Sequence, residues 1–181
     1  MKRIGFGQVE PNHLSAKRNG KIYAQLPAAK SISVLENGMF AKYDYANNEV
    51  NFTGDGEWML VLNEVKLYDD AWRYYGENNG LYAGYAMESK NFMGGEMVPR
   101  LFKTDVGDIF TTNCLVTAGA AGTEVDMGEI KVGDYLEPKD NGYLGLAPDA
   151  DPAMWWGQLW KVVKYYTMPD GQEGVKIQRV K

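Results

Sequence analysis

Residues 158–167 and 174–180 are two runs dense in Val, Ile, Trp and Tyr, separated by the punctuation Pro169-Asp170-Gly171. β-Branched and aromatic side chains pack well on a pleated surface, and Pro-Asp-Gly supplies the dihedral angles of a tight turn. The pair therefore reads as a β-hairpin. Upstream, 135–138 and 143–147 are two more short runs of the same kind, divided by Lys139-Asp140-Asn141-Gly142. The stretch from Val132 onward is thus strand and turn throughout, and none of it carries recognisable reaction chemistry. Architecture and charge must carry the functional argument.

The same reading extends along the chain. Short strands are expected over 21–26, 31–35, 39–45, 49–53, 98–103 and 108–112, with turns at Glu36-Asn37-Gly38 and Ala46-Asn47-Asn48. The longest strand candidate of the first half is 57–68, where apolar residues fall on both faces around Met59 and Leu60, so it is expected to be central and covered on both sides. Residues 69–80 read as a polar loop or one helical turn. The best helix candidate is 81–91, weakened by Gly84. Residues 116–127, rich in Ala, Gly and Thr, read as a loop or an edge strand. The fold class expected is mainly β: a β-sandwich or barrel of about nine to eleven short strands with at most one or two short helices. Val106-Gly107-Asp108 and Val132-Gly133-Asp134 echo one another, each followed by two large apolar residues. Gly-Asp makes a turn, so the echo reads as two turns leading into strands or as coincidence.

With 181 residues, the chain is long enough to bury roughly 70% of its unfolded surface without metal or disulfide. The expected division is an irregular basic arm over 1–30 and a single β-rich domain over 31–181, with a boundary available near 94–98. The arm carries Lys2, Arg3, Lys17, Arg18, Lys21 and Lys30 against Glu10, a balance of +5 within a chain of net charge −5. The remaining 151 residues are therefore at −10. An acidic body disfavours general nucleic-acid binding, which needs clustered positive charge. A basic arm on an acidic body instead suggests attachment to an acidic neighbour, or else simply a solvated terminus. The sequence shows no apolar leader and no run of the ~20 apolar residues a membrane span needs. Folding in a reducing cytoplasm is expected, and Cys114, the only cysteine, cannot form an internal disulfide.

A catalytic reading finds little support. His13 and Cys114 are the only histidine and cysteine, and His13 sits in the irregular segment, a poor place for a positioned base. Cys114 reads better as a small packed residue. The four serines lie in no Gly-x-Ser-x-Gly elbow. Zinc would need Cys and His ligands that the chain does not have. Glu124-Val125-Asp126, Asp69-Asp70 and Asp149-Ala150-Asp151 lack the ordered ligand spacing of a calcium loop and read as solvated turns. No cofactor, no metal and no enzymatic activity are expected. The aromatic sets are more informative. Trp72, Tyr74 and Tyr75, and Trp155, Trp156 and Trp160, could stack on sugars or anchor an interface. Trp160 is expected in the core, and Trp155 or Trp156 at an interface.

The segment Val98-Pro99-Arg100-Leu101-Phe102-Lys103, continuing through Val106-Gly107-Asp108-Ile109-Phe110, resembles the head-associated structural proteins of tailed bacteriophages. So does the hairpin from Trp160 to Gly171. These are auxiliary, decoration or minor capsid proteins, and the resemblance covers roughly 98–181. It implies a non-enzymatic virion subunit, assembled in the host cytoplasm, that binds the major capsid protein or other virion subunits and forms a homo-oligomer on the lattice. Nucleic acid and membrane are not among its expected partners. The partner-binding residues expected are Lys2, Arg3, Lys17, Arg18 and Lys21 of the arm, with Trp155 and Trp156 as apolar anchors. The alternative is a carbohydrate-binding β-module for host or substrate attachment, built on Trp72, Tyr74, Tyr75, Trp155 and Trp156.

Overall fold

The computed structural model describes residues 7, 9–10, 23–63, 86–88, 97–117, 120–121, 126–148, 156–168 and 171–181. They are mainly β, as the turn spacing predicts, and hold no α-helix. Eleven strands have three or more residues: β2 (Val34–Glu36), β3 (Phe40–Asp44), β4 (Glu49–Asn51), β5 (Met59–Val61), β6 (Ala86–Glu88), β8 (Ile109–Thr112), β9 (Leu115–Thr117), β11 (Tyr135–Pro138), β12 (Leu144–Leu146), β13 (Trp160–Thr167) and β14 (Glu173–Arg179). Three pairings of two residues complete the set: β1 (Val9–Glu10), β7 (Leu101–Phe102) and β10 (Ala120–Ala121). The only helical piece among these residues is a 3-10 turn over Met127–Glu129, capped by the Asp126 carboxylate, which accepts from the Gly128 N–H at 2.9 Å.

An eight-stranded sheet runs β1-β8-β14-β13-β11-β12-β9-β10. The β13–β14 hairpin lies in its interior, flanked by β8 and β11, all antiparallel. β9 joins β12 in parallel, Leu115 beside Leu144. A four-stranded sheet, β4-β3-β5-β7, lies against one face of the larger one, and β2 pairs with β6 separately. The shared core collects Phe40 and Leu60 from the smaller sheet and Phe110, Leu136, Trp160, Val162, Val175 and Ile177 from the larger. Trp160 is at its centre, its ring 4.9 Å from Phe110 in an edge-on contact and 5.6 Å from Phe40. Burying such a side chain contributes about 1.5–3 kcal/mol. β5 is interior to its sheet and buried at all three positions, the environment expected from its two-faced apolar pattern.

The two Val-Gly-Asp segments fold identically. In each, the Asp N–H closes a turn onto the carbonyl three residues back, Asp108 to Asp105 at 3.0 Å and Asp134 to Lys131 at 3.1 Å. The carboxylate returns the bond by accepting from that residue's N–H, at 2.8 Å in both cases. Gly107 and Gly133 adopt φ of +97° and +98°, which only glycine takes without strain. Each segment then docks on the hairpin strand beside it. The Gly107 N–H donates to Arg179 O and the Arg179 N–H to Asp108 O, at 2.8 and 2.9 Å; Gly133, Val162 and Asp134 repeat this at 2.9 and 2.8 Å. The registers continue the match, Phe110 beside Ile177 and Leu136 beside Trp160. Since Lys161 pairs with Gln178, a two-fold relation runs through the sheet between these residues, exchanging β13 with β14 and β8 with β11.

Most expected strands overlap an observed one, but of the long strand expected over 57–68 only Met59–Val61 is strand among the described residues, 57–58 and 62–63 lying outside it. Residues 23–26 do not form the strand predicted over 21–26; the Ala24 carbonyl accepts from Tyr43 Oη at 2.7 Å, and Ala28 is bridged to Val50. Within the helix predicted over 81–91, Ala86–Glu88 is instead strand β6, paired with β2. A partner strand outweighs weak helical propensity in a segment already compromised by Gly84. The part of 116–127 expected as an edge strand is one, β10 being the last strand of its sheet. Within the expected arm, Val9–Glu10 pairs with β8, and residues 27–29 are hydrogen-bonded to Val50 and Met97.

Candidate interaction surface

Trp156 is 100% exposed, ahead of a strand whose first residue, Trp160, is completely buried. The two indoles, four positions apart, differ as expected in burial: Trp160 is in the core, and Trp156, one of the two residues expected near the surface with Trp155, is exposed. Indole is large and mostly apolar, and proteins seldom leave one wholly in water. Of the other expected partner-binding residues, Lys2, Arg3, Lys17, Arg18, Lys21 and Trp155 lie outside the described residues, as do Trp72, Tyr74, Tyr75 and His13.

A second surface was not anticipated from the sequence. The face of the eight-stranded sheet turned away from the core carries Lys161, Lys164 and Lys176. Lys161 lies over the Tyr135 ring at 5.9 Å and Lys176 over the Tyr166 ring at 5.8 Å. A register shift between Val162 and Lys164 leaves residues 163–165 all exposed. Strict alternation of inward and outward residues along β13 was the missing assumption, and the bulge breaks it. The signal available in the sequence was Lys161 and Lys164, three positions apart in a strand, where two would be needed to share a face without a bulge.

Cys114 is buried, as a packed residue should be, and its thiol donates to Asn37 O at 3.1 Å. Beside it the buried Glu36 carboxylate accepts from Tyr143 Oη at 3.1 Å. These contacts tie β2 to the loops around β9 and β12. A cleft of about 390 Å³ lies between the 3-10 turn and the far end of the hairpin, lined by Met127, Gly128, Tyr165, Thr167, Glu173 and Gly174. Its lining offers one carboxylate and hydroxyls but no nucleophile–base pair. Among the described residues no three His, Cys, Asp or Glu side chains gather to hold a metal ion. Asp126, from one of the acidic triplets, is a helix-turn cap. No helix among the described residues is long and apolar enough to cross a membrane.

On the β3–β4 hairpin, Asp44 is held by three donors: the Asn47 N–H at 3.0 Å, Asn47 Nδ2 at 2.9 Å and Asn51 Nδ2 at 3.0 Å. The Asn47 carboxamide foremost, then its backbone N–H, favours the charged form and holds the Asp44 carboxyl below its ordinary value. Tyr45 beside it is 66% exposed.

No protein-family model, curated protein or solved structure matches this chain.

Proposed function

We propose that the chain is a non-enzymatic virion subunit of a tailed bacteriophage, one that binds the head lattice of the major capsid protein and reinforces it. The observation that carries the reading is the wholly exposed Trp156 on a body whose other described tryptophans, Trp58 and Trp160, are partly or fully buried. An indole left in water by the single chain gains from a partner surface, and an aromatic anchor in the middle of an interface contributes about 2 kcal/mol or more. The resemblance of residues 98–181 to head-associated proteins supplies the partner. The basic arm, with Lys2, Arg3, Lys17, Arg18 and Lys21, is read as steering docking onto an acidic neighbour.

The test is co-sedimentation with emptied heads of the virus that encodes the chain. Wild-type protein is expected to bind at a fixed ratio, and Trp156→Ala to bind at least ~10-fold more weakly, since 1.4 kcal/mol is a factor of ten. A chain that ignores the heads but is retained on a polysaccharide matrix would replace this reading with the carbohydrate-binding one.

A further inference from the structure

We propose that the cleft between the 3-10 turn and the far end of the β13–β14 hairpin binds a neutral saccharide, with the Tyr165 ring as the surface on which a sugar stacks. The inference goes beyond the assembly reading and stands without it. The register builds the site. Tyr165 and Thr167 are two apart on β13, and Glu173 stands directly across from Thr167, so the three share one face of the hairpin. It is the core-facing side, since Val175, directly across from Tyr165, is completely buried. Past Val175 the same face is exposed at Tyr165 and Thr167 and opens into a cleft of about 390 Å³, with Met127, a member of the core, in its wall. Small-molecule sites span ~300–1,000 Å³.

The ring is held in place before any ligand arrives. Tyr165 is 53% exposed, yet its hydroxyl donates to the Ile130 carbonyl at 2.9 Å, just beyond the 3-10 turn. An aromatic tied at both ends gives up little rotamer freedom on binding. The lining then selects the ligand. A pyranose offers an apolar C–H face to an aromatic ring and a rim of hydroxyls to polar groups. In the cleft the Thr167 hydroxyl donates or accepts, and the Glu173 carboxylate accepts. No Lys, Arg or His lines the cleft among the described residues, which disfavours an anion. Glu173 already has an interaction of its own, so it does not call for a cation. A wholly apolar ligand would cover the hydroxyl and the carboxylate without giving either a hydrogen bond. An uncharged ligand with one apolar face and several hydroxyls meets every one of these conditions.

Titration of the full, isotopically labelled chain with maltose, cellobiose, lactose and diacetylchitobiose, followed by NMR, tests this. At least one disaccharide should shift the amides of 127–128, 165–167 and 173–174 saturably. Tyr165→Ala should weaken that binding at least ~10-fold, a change of 1.4 kcal/mol. Tyr165→Phe, which keeps the ring but frees it from Ile130, should fall between the two. Gly128→Leu approaches the cleft from its other wall. A Cβ there meets only the Asp126 side chain within 4 Å, so the side chain narrows the cleft with the ring intact, and binding should fall as far. Unchanged amide shifts away from the cleft show that each variant folds. Trp156 does not line the cleft, and Trp156→Ala should bind the sugar as wild type does. The proposal is overturned by shifts that never saturate with any of the four probes, by shifts confined to other residues, by unchanged binding in Tyr165→Ala and Gly128→Leu, or by loss of binding in Trp156→Ala. Head binding without sugar binding removes this site alone; sugar binding at the cleft without head binding removes the capsid reading alone.

Discussion

Asp108 and Asp134 occupy equivalent places in the sheet, each closing a turn through its own N–H and carboxylate and each bridged to a strand of the β13–β14 hairpin, at Arg179 and Val162 respectively. Asp134→Ala removes a charge-assisted bond to the Lys131 N–H and should cost about 1.5–3 kcal/mol at most, less where water replaces it. Asp108 is buried and has further partners, so Asp108→Ala should cost more. Urea midpoints of the two variants check the order.

At the glycines of these turns the cost is conformational. An added Cβ at Gly107 or Gly133 would meet nothing within 4 Å, so space is not the constraint. Gly→Ala at either position should still cost about 1 kcal/mol through the positive φ, and by similar amounts at both. Gly133→Asn should cost less than Gly133→Ala, because Asn tolerates the left-handed region better. Thermal melts of the three variants decide it.

Trp160 is completely buried, and its indole N–H finds no acceptor among the described residues. Trp160→Ala should cost about 3–5 kcal/mol, through lost burial and the cavity left behind. Trp160→Phe removes the unsatisfied donor together with part of the ring. The relief of about 1–3 kcal/mol offsets much of the lost contact, so this variant should stay close to wild type. A Phe variant as damaged as the Ala one would mean that the N–H is satisfied in solution.

The Asn37 carboxamide serves both backbone groups of Asn63, accepting from its N–H at 2.7 Å and donating to its carbonyl at 3.1 Å. It does the work of a neighbouring strand for the chain leaving β5. Asn37→Leu strands two buried polar groups and should destabilise by about 2 kcal/mol or more. Hydrogen exchange at the Asn63 amide should speed up by at least the corresponding factor.

Asp44 predicts a pH dependence. Its folded pKa is lowered by Asn47 and Asn51, so its contribution is fully present above the unfolded value, near pH 4. It is lost as pH falls through the lower folded value. The stability gap between wild type and Asp44→Asn should therefore be constant from neutral pH to about 5 and close below about 4. Chemical denaturation at a series of pH values measures it.

Strands were legible because they are local. The run 135–138 is β11 residue for residue, and the two runs expected to pair across 168–173 are β13 and β14, antiparallel neighbours. What lay beyond the sequence was long-range pairing. Nothing near Leu115 announces its parallel partner Leu144, and nothing near Ala86 announces β2. The repeated Val-Gly-Asp was visible as letters, but its meaning depends on Arg179 and Val162, far away in the chain. For the surface, composition pointed to Trp155 or Trp156 because the pair follows a Pro- and Asp-rich stretch. It could not point to Lys164, whose side is decided by a bulge.

The most direct test of the proposal that a phage encodes this chain and carries it in its particle is quantitative mass spectrometry of purified virions. The account predicts the chain in the particle at many copies, in a fixed ratio to the major capsid protein, and that ratio falling when the virus carries Trp156→Ala. Particles of normal composition that lack the chain, while it accumulates in the infected cell, would contradict it.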